Sequence, residues 1–406
     1  MNILIATVFP LPGGGIWSFV SNLQKSLIEV GHKVDILCGN KFNSRVEILG
    51  TNKVVDFMPF RHAVNEQLLM NCPGITKDSW VYRAEMNHYL FEQAVSNIDL
   101  RKYDIIHTQD VIAAASISRV KKTGTPLVTS VHGFLSGAIF HQIKPVNQWE
   151  NSRIWSSFVL QYYSRLEQIG YESSDYIHTS SMWMRRIIET QFSIPSTKIS
   201  TYTYGLDLTE FVPSKSRDRI TEKPIILAVS RLVYLKGLEH LIDALSFLSK
   251  ENDSWECWIL GEGEMERTLK NRVNELGLQN KILFRGVKKN LKDILQRAEM
   301  VVLPSLQENQ PFAVIEAQLM GVPVVVSNAG GLPEMVDNGK SGFIVDKGNS
   351  VELYKKIRLL LDNPSVRDQM SQYSLSYARS KWNINNTRKH TLQMYNKALI
   401  GKKSLK

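Results

Sequence analysis

The sequence predicts an α/β protein built from two doubly wound parallel sheets. The chain has 406 residues, which is enough for two domains that each enclose a core. Short apolar runs alternate with amphipathic segments of helix length, and this alternation starts twice, at the amino terminus and again near residue 225. We expect the two sheets to face each other across a crevice lined by the carboxyl ends of their strands.

The composition is that of an ordinary globular protein, with 43% apolar and 22% charged residues. The chain lacks any run of about 18 apolar residues, so we expect no membrane-spanning helix. The first residues, MNILIATVF, lack a basic leader and predict a strand, not a signal peptide. Three distant cysteines without metal-ligand spacing favour structural thiols and a cytoplasmic location.

Most of the net charge of +10 comes from the second half of the chain. Residues 206–406 hold 30 basic and 23 acidic side chains, against 19 and 16 in residues 1–205. This excess suits an anionic nucleotide, and a solvated basic surface explains it equally well. Residues 388–406 hold six basic side chains and no acidic one, which leaves peripheral contact with anionic lipid open. No nucleic-acid-binding motif is present, so we expect no nucleic acid partner.

The first half opens with a strand at residues 2–8, a glycine-rich turn and a helix. Apolar residues spaced by three and four predict that helix from residue 16 to residue 30. The turn is not the G-x-G-x-x-G fingerprint, so it does not indicate a dinucleotide. Gly14 and Gly15 in this turn would let the backbone approach a phosphate or a sugar closely; a plain tight turn is the alternative.

Further strands of the first half are predicted at residues 33–37, 104–107, 126–130 and 176–179, with helices at residues 79–97, 111–120 and 182–192. His107 and His132 lie at the ends of two of these strands, where side chains of a parallel sheet face a ligand; a structural role is the alternative for each. Residues 148–171 are rich in aromatic side chains at helical spacing, which favours core or interdomain packing over a ligand-binding surface and leaves docking on lipid open.

The second half follows a linker predicted at residues 201–223. Its predicted strands cover residues 225–229, 255–260, 282–284, 301–303, 322–326 and 342–345, with helices between them and to the end of the chain. Arg231 follows the first of these strands and Lys236 opens the next helix, so both cations can converge on a diphosphate. A surface rim is the alternative. No Asp-x-Asp occurs, which argues against a metal held by such a motif.

Residues 301–336 predict a strand, a loop, a helix and a further strand, with two glutamates inside. Glu308 lies in the loop and Glu316 in the helix that follows. A loop that leads into a helix directs free N–H groups and a partial positive charge at one point, which suits a diphosphate. Carboxylates on either side can accept hydrogen bonds from the hydroxyls of a sugar and a ribose.

These residues together resemble the retaining glycosyltransferases of the GT-B fold in the large family four, also called group 1. The most specific match is the E-x7-E motif of Glu308 and Glu316 with the segments EAQLMGVPVV, NAGGLPEMV and NGKSGFIV after it. The SRL…KG element that contains Arg231 and Lys236 is the next most specific. The glycine-rich turn and the run Val131-His132-Gly133 match the first-domain pattern more loosely.

The resemblance implies two facing Rossmann-like doubly wound domains with an interdomain cleft. Residues 1–205 would form the acceptor-side domain, joined by a crossing helix at about residues 382–406, and residues 206–381 would bind the nucleotide sugar. The first boundary rests on the turn YGLD at residues 204–207, and the second on SKW at residues 380–382.

The resemblance also implies a role for each matched residue. Arg231 and Lys236 would hold the diphosphate and assist its departure, while Glu308 and His132 would contact the donor sugar. The nucleotide and its sugar would be bound further by Glu316 on the ribose, by the backbone of Phe312 and Ala313, by Gly14 and Gly15 on the diphosphate, and by Gly286 and Val287 beside the base. Relatives often have glycine where this chain has Pro311, and proline lacks an N–H, so the donor sugar stays open.

We therefore expect a cytoplasmic enzyme that transfers a hexose, such as glucose or N-acetylglucosamine, from a nucleotide diphosphate sugar, most simply UDP-linked, without a metal cofactor. The acceptor is an alcohol that the sequence does not identify. A nucleotide-sugar epimerase of the same fold and a non-catalytic nucleotide-sugar-binding protein are the alternatives. The E-x7-E motif together with the SRL…KG element favours transfer over both alternatives.

Overall fold

The computed structural model describes residues 1–121, 124–146, 149–213, 223–288 and 290–403. The chain divides into two compact units, Met1–Tyr204 with Ile384–Lys406, and Gly205–Asn383. The sequence placed these boundaries after residues 205 and 381. The assignment of an acceptor to the first unit and a nucleotide sugar to the second stays a prediction. The predicted linker at residues 201–223 and the start of the aromatic segment at Gln148 fall partly outside the described residues.

The strands in the described residues are β1 (Asn2–Pro10), β2 (Lys33–Gly39), β3 (Arg45–Ile48), β4 (Val54–Asp56), β5 (Ile105–Thr108), β6 (Leu127–Val131), β7 (Tyr176–Thr179), β8 (Ile199–Thr201), β9 (Ile225–Val229), β10 (Glu256–Leu260), β11 (Ile282–Phe284), β12 (Ala298–Leu303), β13 (Val324–Ser327) and β14 (Gly342–Val345).

The helices in the same ranges are α1 (Gly14–Glu29), α2 (Met58–Asn71), α3 (Trp80–Ser96), α4 (Val111–Val120), α5 (Leu135–Ile143), α6 (Asn151–Trp155), α7 (Phe158–Ser173), α8 (Met182–Thr190), α9 (Leu238–Ser249), α10 (Glu266–Glu275), α11 (Leu291–Leu295), α12 (Phe312–Leu319), α13 (Ser350–Asp362), α14 (Pro364–Lys381) and α15 (Ile384–Lys403). In the part of the chain described, no helix is long and apolar enough to cross a membrane.

The first unit holds a sheet of the order β4-β3-β2-β1-β5-β6-β7-β8. The pairs from β2 through β1 to β8 are parallel, whereas β3 runs antiparallel to both β2 and β4. The sequence did not predict β3, β4 or α2, and a purely parallel sheet is wrong for this edge. Strands of three or four residues carry too little periodicity to be recognised without their neighbours.

The second unit holds a parallel sheet of the order β11-β10-β9-β12-β13-β14. Both of its faces are covered, so its strands are continuous apolar runs, such as residues 225–228 and 300–303. The chain moves outward from β9 to β11 and then returns to the other side of β9 as β12. This reversal between β9 and β12 is a topological switch point, where open α/β sheets bind their ligands.

A directional chain of buried hydrogen bonds fixes the last helix, α15, to the sheet of the first unit. His178 Nε2–H donates to the carbonyl of Tyr202 at 2.9 Å, so its Nδ1 accepts from Ser130 at 2.8 Å. Ser130 in turn accepts from His107 Nε2–H at 2.8 Å, and His107 Nδ1 accepts from the Tyr395 hydroxyl at 2.7 Å. Burial lowers the pKa of both histidines, which keeps them neutral as this pattern requires. His107 therefore has a structural role.

Replacing Tyr395 with phenylalanine removes one hydroxyl and leaves His107 Nδ1 buried without its donor. We expect Tyr395→Phe to destabilise the protein by about 1–3 kcal/mol, because an unsatisfied buried acceptor costs that much. Tyr89→Phe is the matched control, since Tyr89 is 38% exposed on α3 and should change stability by less than about 0.5 kcal/mol. Denaturant unfolding measures both; equal effects would contradict the directional chain.

Candidate functional site

The strand order of the second unit brings together three residues that the sequence separates widely. Arg231 and Lys236 follow β9, and Glu308 follows β12, which is paired with β9. The Lys236 ammonium forms an ion pair with Glu308 Oε1, and both side chains are 12% exposed. Ser305 donates a weaker hydrogen bond to the same carboxylate oxygen at 3.4 Å. Lys236, the predicted diphosphate-binding cation, and Glu308, the predicted sugar-binding carboxylate, are therefore in contact at the switch point.

Gly237 allows the loop after β9 to approach the loop after β12. Its φ of 62° lies in the left-handed region, and a Cβ added there would overlap the carbonyl oxygen of Pro304. Beside it, the Leu306 amide donates to the carbonyl of Leu235 at 2.8 Å. The structure places Lys236 in a short 3-10 turn before α9, which begins at Leu238, and not in the helix itself as predicted.

Gly330 holds the backbone of Glu308 from the other side. It has a φ of 63°, and a Cβ at this position would overlap the carbonyl oxygen of Glu308. The Gly331 amide donates to that carbonyl at 2.9 Å. The segment NAGGLPEMV was singled out only by its resemblance to the family. The structure shows that its glycines hold the loop that carries Glu308.

Arg231 lies at the same edge of the sheet and is exposed. Its backbone carbonyl accepts from the Val233 amide at 3.0 Å, which bends the chain directly after β9. A guanidinium on such a bend can turn toward an anion without breaking packing in the core. Its diphosphate role stays a prediction.

Glu316 lies in α12, one turn beyond its first residue, and is partly buried. Burial raises the pKa of its carboxyl group to about 7, and the nearby Lys292 ammonium lowers it only in part. Lys292 is engaged elsewhere, since its Nζ donates to Glu210 at 3.1 Å and lies 4.3 Å from the centre of the Phe211 ring. A carboxylate kept from water in this way gains more than usual from the hydroxyl groups of a ligand.

The amino end of α12 lies next to these carboxylates. Pro311 occupies the N-cap position, with extended backbone angles of −69° and 133°, and Phe312 is the first helical residue. The Val314 amide is used internally, donating to the Pro311 carbonyl at 3.2 Å. A missing N–H at the cap removes no helical hydrogen bond. The helix therefore begins normally with Pro311, and the proposed ligand contacts of Phe312 and Ala313 stay predictions.

Gly286 and Val287 follow β11, two strands from β9 at the outer edge of the sheet. Two strand spacings correspond to roughly 10 Å along this edge. The Gly286 carbonyl accepts from the Gly261 amide at 3.0 Å, and the Val287 side chain is 67% exposed. An exposed apolar side chain at this edge is compatible with a flat base, and the contact of Gly286 and Val287 with the base stays a prediction.

Gly14 and Gly15 form the open amino end of α1 in the first unit. No side chain caps this helix, no acidic residue lies in its first turn, and a Cβ added at either glycine would contact nothing within 4 Å. The turn follows β1, beside β5, which is the switch point of the first sheet. Its amides and the positive end of the helix dipole are available to an anion, so the predicted diphosphate contact is geometrically possible.

His132 was predicted to contact the donor sugar, and the structure places it in a filled hydrogen-bond arrangement within the first unit. Its Nε2–H donates to Gln109 Oε1 at 3.0 Å, and its Nδ1 accepts from the Tyr204 hydroxyl at 2.5 Å. Burial lowers its pKa to about 3, so the ring is neutral, and it packs against Phe19 at 5.1 Å. The sugar contact stays a prediction, and it requires one of these bonds to break.

Sequence reasoning missed Ser305 and Lys292. Ser305 lies three residues before Glu308 in one loop, and this proximity was a usable signal. Lys292 lies far from Glu316 in sequence, so no pattern could relate the two. Among the described residues, no group of three or more histidine, cysteine, aspartate or glutamate side chains is arranged to hold a metal ion.

Comparison with known proteins assigns both halves of the chain to glycosyltransferase families. The model for Glycosyltransferase Family 4 matches residues 13–210, and that for Glycosyl transferases group 1 matches residues 213–376. A protein of Methanocaldococcus jannaschii described as an uncharacterised glycosyltransferase is 25% identical over 406 residues, 95% of either chain. The MMP alpha-(1->4)-mannosyltransferase of Mycolicibacterium hassiacum is 24% identical over 95% of either chain.

Solved structures show the same architecture. The Anabaena protein HepE in complex with UDP-glucose has a TM-score of 0.70 and 18% identity, covering 98% of this chain and 100% of that one. Sucrose-phosphate synthase of Thermosynechococcus elongatus has a TM-score of 0.75 and 18% identity, covering 98% and 99%. The protein is thus a glycosyltransferase of the GT-B fold. It belongs to the group 1 glycosyltransferases, as the sequence indicated.

The raised pKa of Glu316 predicts a pH-dependent stability. Between its ordinary value of 4.5 and about 7, the folded protein holds a proton that the unfolded chain has lost, so this group destabilises the fold as pH rises. Glu316→Gln should therefore raise the melting temperature at pH 8, equivalent to up to about 3 kcal/mol, and leave it nearly unchanged at about pH 4, below the ordinary pKa of this group. Glu264→Gln, an exposed control in the same unit, should show no such difference. A Glu316→Gln effect independent of pH would contradict the burial of this carboxylate.

Proposed function

We propose that this glycosyltransferase moves a hexose from a UDP-linked sugar to an acceptor alcohol with retention of the anomeric configuration. The observation that carries the proposal is the contact between Lys236 and Glu308 at the switch point of the second sheet. In a nucleotide sugar, the diphosphate and the sugar hydroxyls lie within the width of one sugar ring of each other. A cation that binds the diphosphate and a carboxylate that binds the hydroxyls must therefore lie equally close together. The bond that breaks in the transfer joins the diphosphate of the donor to its sugar.

The order of features along the sheet edge supports a nucleotide sugar. Along this edge, the base would lie beside Gly286 and Val287, which follow β11. The diphosphate would lie at Arg231 and Lys236 after β9, and the sugar at Glu308 after β12. Related crystal structures of HepE contain UDP, UDP with glucose, and UDP-glucose. We take UDP as the nucleotide on this ground.

The proposed chemistry exchanges one bond at the anomeric carbon for another. The bond from this carbon to the β-phosphate oxygen breaks, and UDP leaves with the electron pair while Arg231 and Lys236 neutralise its charge. The acceptor oxygen attacks from the same face, and its proton passes to the departing phosphate oxygen. Because the departing phosphate takes this proton, no separate protein base is needed, and Glu308 serves to orient the sugar hydroxyls. The two cations supply the positive charge, and we propose transfer without a metal ion.

The donor can be identified by thermal stabilisation. A ligand at 100 times its dissociation constant stabilises the folded state by about 2.7 kcal/mol. We expect one of a series of UDP-, GDP- and ADP-sugars to raise the melting temperature, with UDP-sugars the largest. A larger shift with GDP- or ADP-sugars would overturn the choice of nucleotide and leave the reaction class intact.

Turnover of that sugar nucleotide tests the reaction, followed by ¹H NMR with water alone and with simple sugars as acceptors. Lys236→Ala and Glu308→Ala should each lower kcat/KM by at least about 100-fold, because each removes charge stabilisation from the transition state. Lys270→Ala and Glu266→Ala are matched controls, since this exposed ion pair lies on α10 of the same unit and should leave kcat/KM unchanged.

The NMR signal of the first product also distinguishes the rival reactions. Retention predicts that the product first appears with the anomeric configuration of the donor. An inverted product would overturn the retaining mechanism, an epimerised sugar would indicate an epimerase, and binding without any turnover would indicate a non-catalytic protein. Near-normal turnover in both alanine variants would place the reaction elsewhere.

A further inference from the structure

The first unit exposes four large apolar side chains close together in the chain, between the end of α5 and the first residue of α7. Val146, Trp149, Trp155 and Phe158, which we call the aromatic patch, are 81%, 40%, 38% and 70% exposed. Soluble surfaces expose single apolar side chains commonly, but a contiguous group indicates an interaction surface. The sequence predicted core or interdomain packing for residues 148–171. Leu160 and Tyr163 are buried as expected, whereas Trp149, Trp155 and Phe158 are exposed.

The aromatic patch lies on a rigid base and not on a loose loop. The Trp155 ring stacks on that of Phe140 at 5.1 Å and on that of Phe134 at 6.1 Å, and both phenylalanines are buried. Its neighbour Ile154 is fully buried in the same core. The core of the first unit therefore holds the outward face of the patch in place.

The aromatic patch lies at the carboxyl edge of the first sheet. Helix α7 leads back to the amino end of β7, so its first residue, Phe158, lies near the opposite edge. Other exposed apolar side chains lie at the carboxyl end of β1, which contains Phe9, and just after β2 and β4, which are followed by Phe42 and Met58. The open glycine turn at Gly14 follows β1 at this edge as well. One side of the unit is thus apolar along several strands.

Cations accompany these aromatic rings. The Arg153 guanidinium lies 4.7 Å from the centre of the Trp149 ring, and the Lys144 ammonium lies 5.7 Å from that of Phe140. Lys41 and Arg61 lie beside Phe42 and Met58 in the chain and are exposed. The acidic side chains nearest in the chain are Glu150 and Asp56, so positive charge is in excess. Aromatic rings with basic side chains beside them are typical of surfaces that bind anionic lipid.

We propose that the aromatic patch docks the first unit on an anionic lipid bilayer. Trp149, Trp155 and Phe158 enter the headgroup region, and Lys144 and Arg153 contact the lipid phosphates. Amphipathic aromatic rings favour that boundary, and the negative surface potential attracts the cations. The patch lies outside the residues assigned to the sugar nucleotide, so the inference does not depend on the proposed reaction.

Co-sedimentation of the full chain with vesicles tests the proposal. We expect binding to vesicles of phosphatidylcholine mixed with phosphatidylglycerol, and little binding to phosphatidylcholine alone. The double variant Trp149→Ser/Phe158→Ser should bind the anionic vesicles at least about tenfold more weakly, because two apolar insertions are lost. Lys144→Glu/Arg153→Glu should weaken binding by a similar factor, and high salt should do the same to the wild type.

Met70→Ser is the matched control, since Met70 is 74% exposed at the far end of α2 and lies outside the aromatic patch. It should bind as the wild type does, and every variant is first compared with the wild type by circular dichroism and melting temperature. If the serine variant does not fold, the charge-reversal variant, which keeps the aromatic side chains, shows whether the patch is needed for vesicle binding.

Absence of vesicle binding by the wild type would overturn the proposal, and so would equal binding by the patch variants. A second copy of this chain is the competing occupant. Light scattering that shows a wild-type dimer and a monomeric Trp149→Ser/Phe158→Ser variant, without vesicle binding, would assign the patch to self-association instead.

Discussion

The ion pair between Lys236 and Glu308 joins the two loops on which the site of the second unit is built. One loop leaves β9 and the other leaves β12, and these strands are neighbours only because the chain reverses direction across the sheet. A partly buried pair of opposite charges is stable as long as both partners remain. In the free protein each charge therefore satisfies the other, and a nucleotide sugar bound as proposed would have to replace both partners.

The backbone around this pair leaves little freedom. Gly237 brings the first loop against Pro304, and Gly330 brings the segment after β13 against the carbonyl of Glu308. Both glycines have positive φ and no space for a side chain, so their conformations follow from the close approach of three loops. The carboxylate is thus presented from a fixed backbone, as a group that must orient a sugar requires. Lys236, on a long flexible side chain, is the mobile partner.

Much of this architecture could be predicted from the sequence. The strands of the second unit are largely buried, so they are mostly apolar runs, and the proposed site residues lie in the loops that follow their carboxyl ends. The E-x7-E spacing and the SRL…KG element marked four residues, and two of these, Lys236 and Glu308, are in contact. The short antiparallel strands β3 and β4 and helix α2 could not be predicted, because their patterns make sense only against β2.

The contacts between distant residues could not be predicted either. That Lys236 meets Glu308 depends on strand order, which the sequence does not encode locally. His132 was recognised as a strand-end histidine, but its two partners, Gln109 and Tyr204, come from separate parts of the chain and leave its ring nitrogens occupied. Likewise, the exposure of Trp149 and Phe158 depends on how α6 and α7 pack. Helical spacing alone favoured packing of these side chains in an interior or between domains.

The exchange of partners at Lys236 and Glu308 can be measured directly by titration calorimetry with UDP and with the UDP-sugar. In the proposed site, UDP would draw Lys236 to its phosphates and leave Glu308 without a cation, whereas the sugar hydroxyls of the complete donor would satisfy that carboxylate. The account predicts that Glu308→Gln binds UDP at least as tightly as the wild type and binds the UDP-sugar about tenfold more weakly, the worth of a hydrogen bond to a charged group. Equal changes in the two affinities would contradict it.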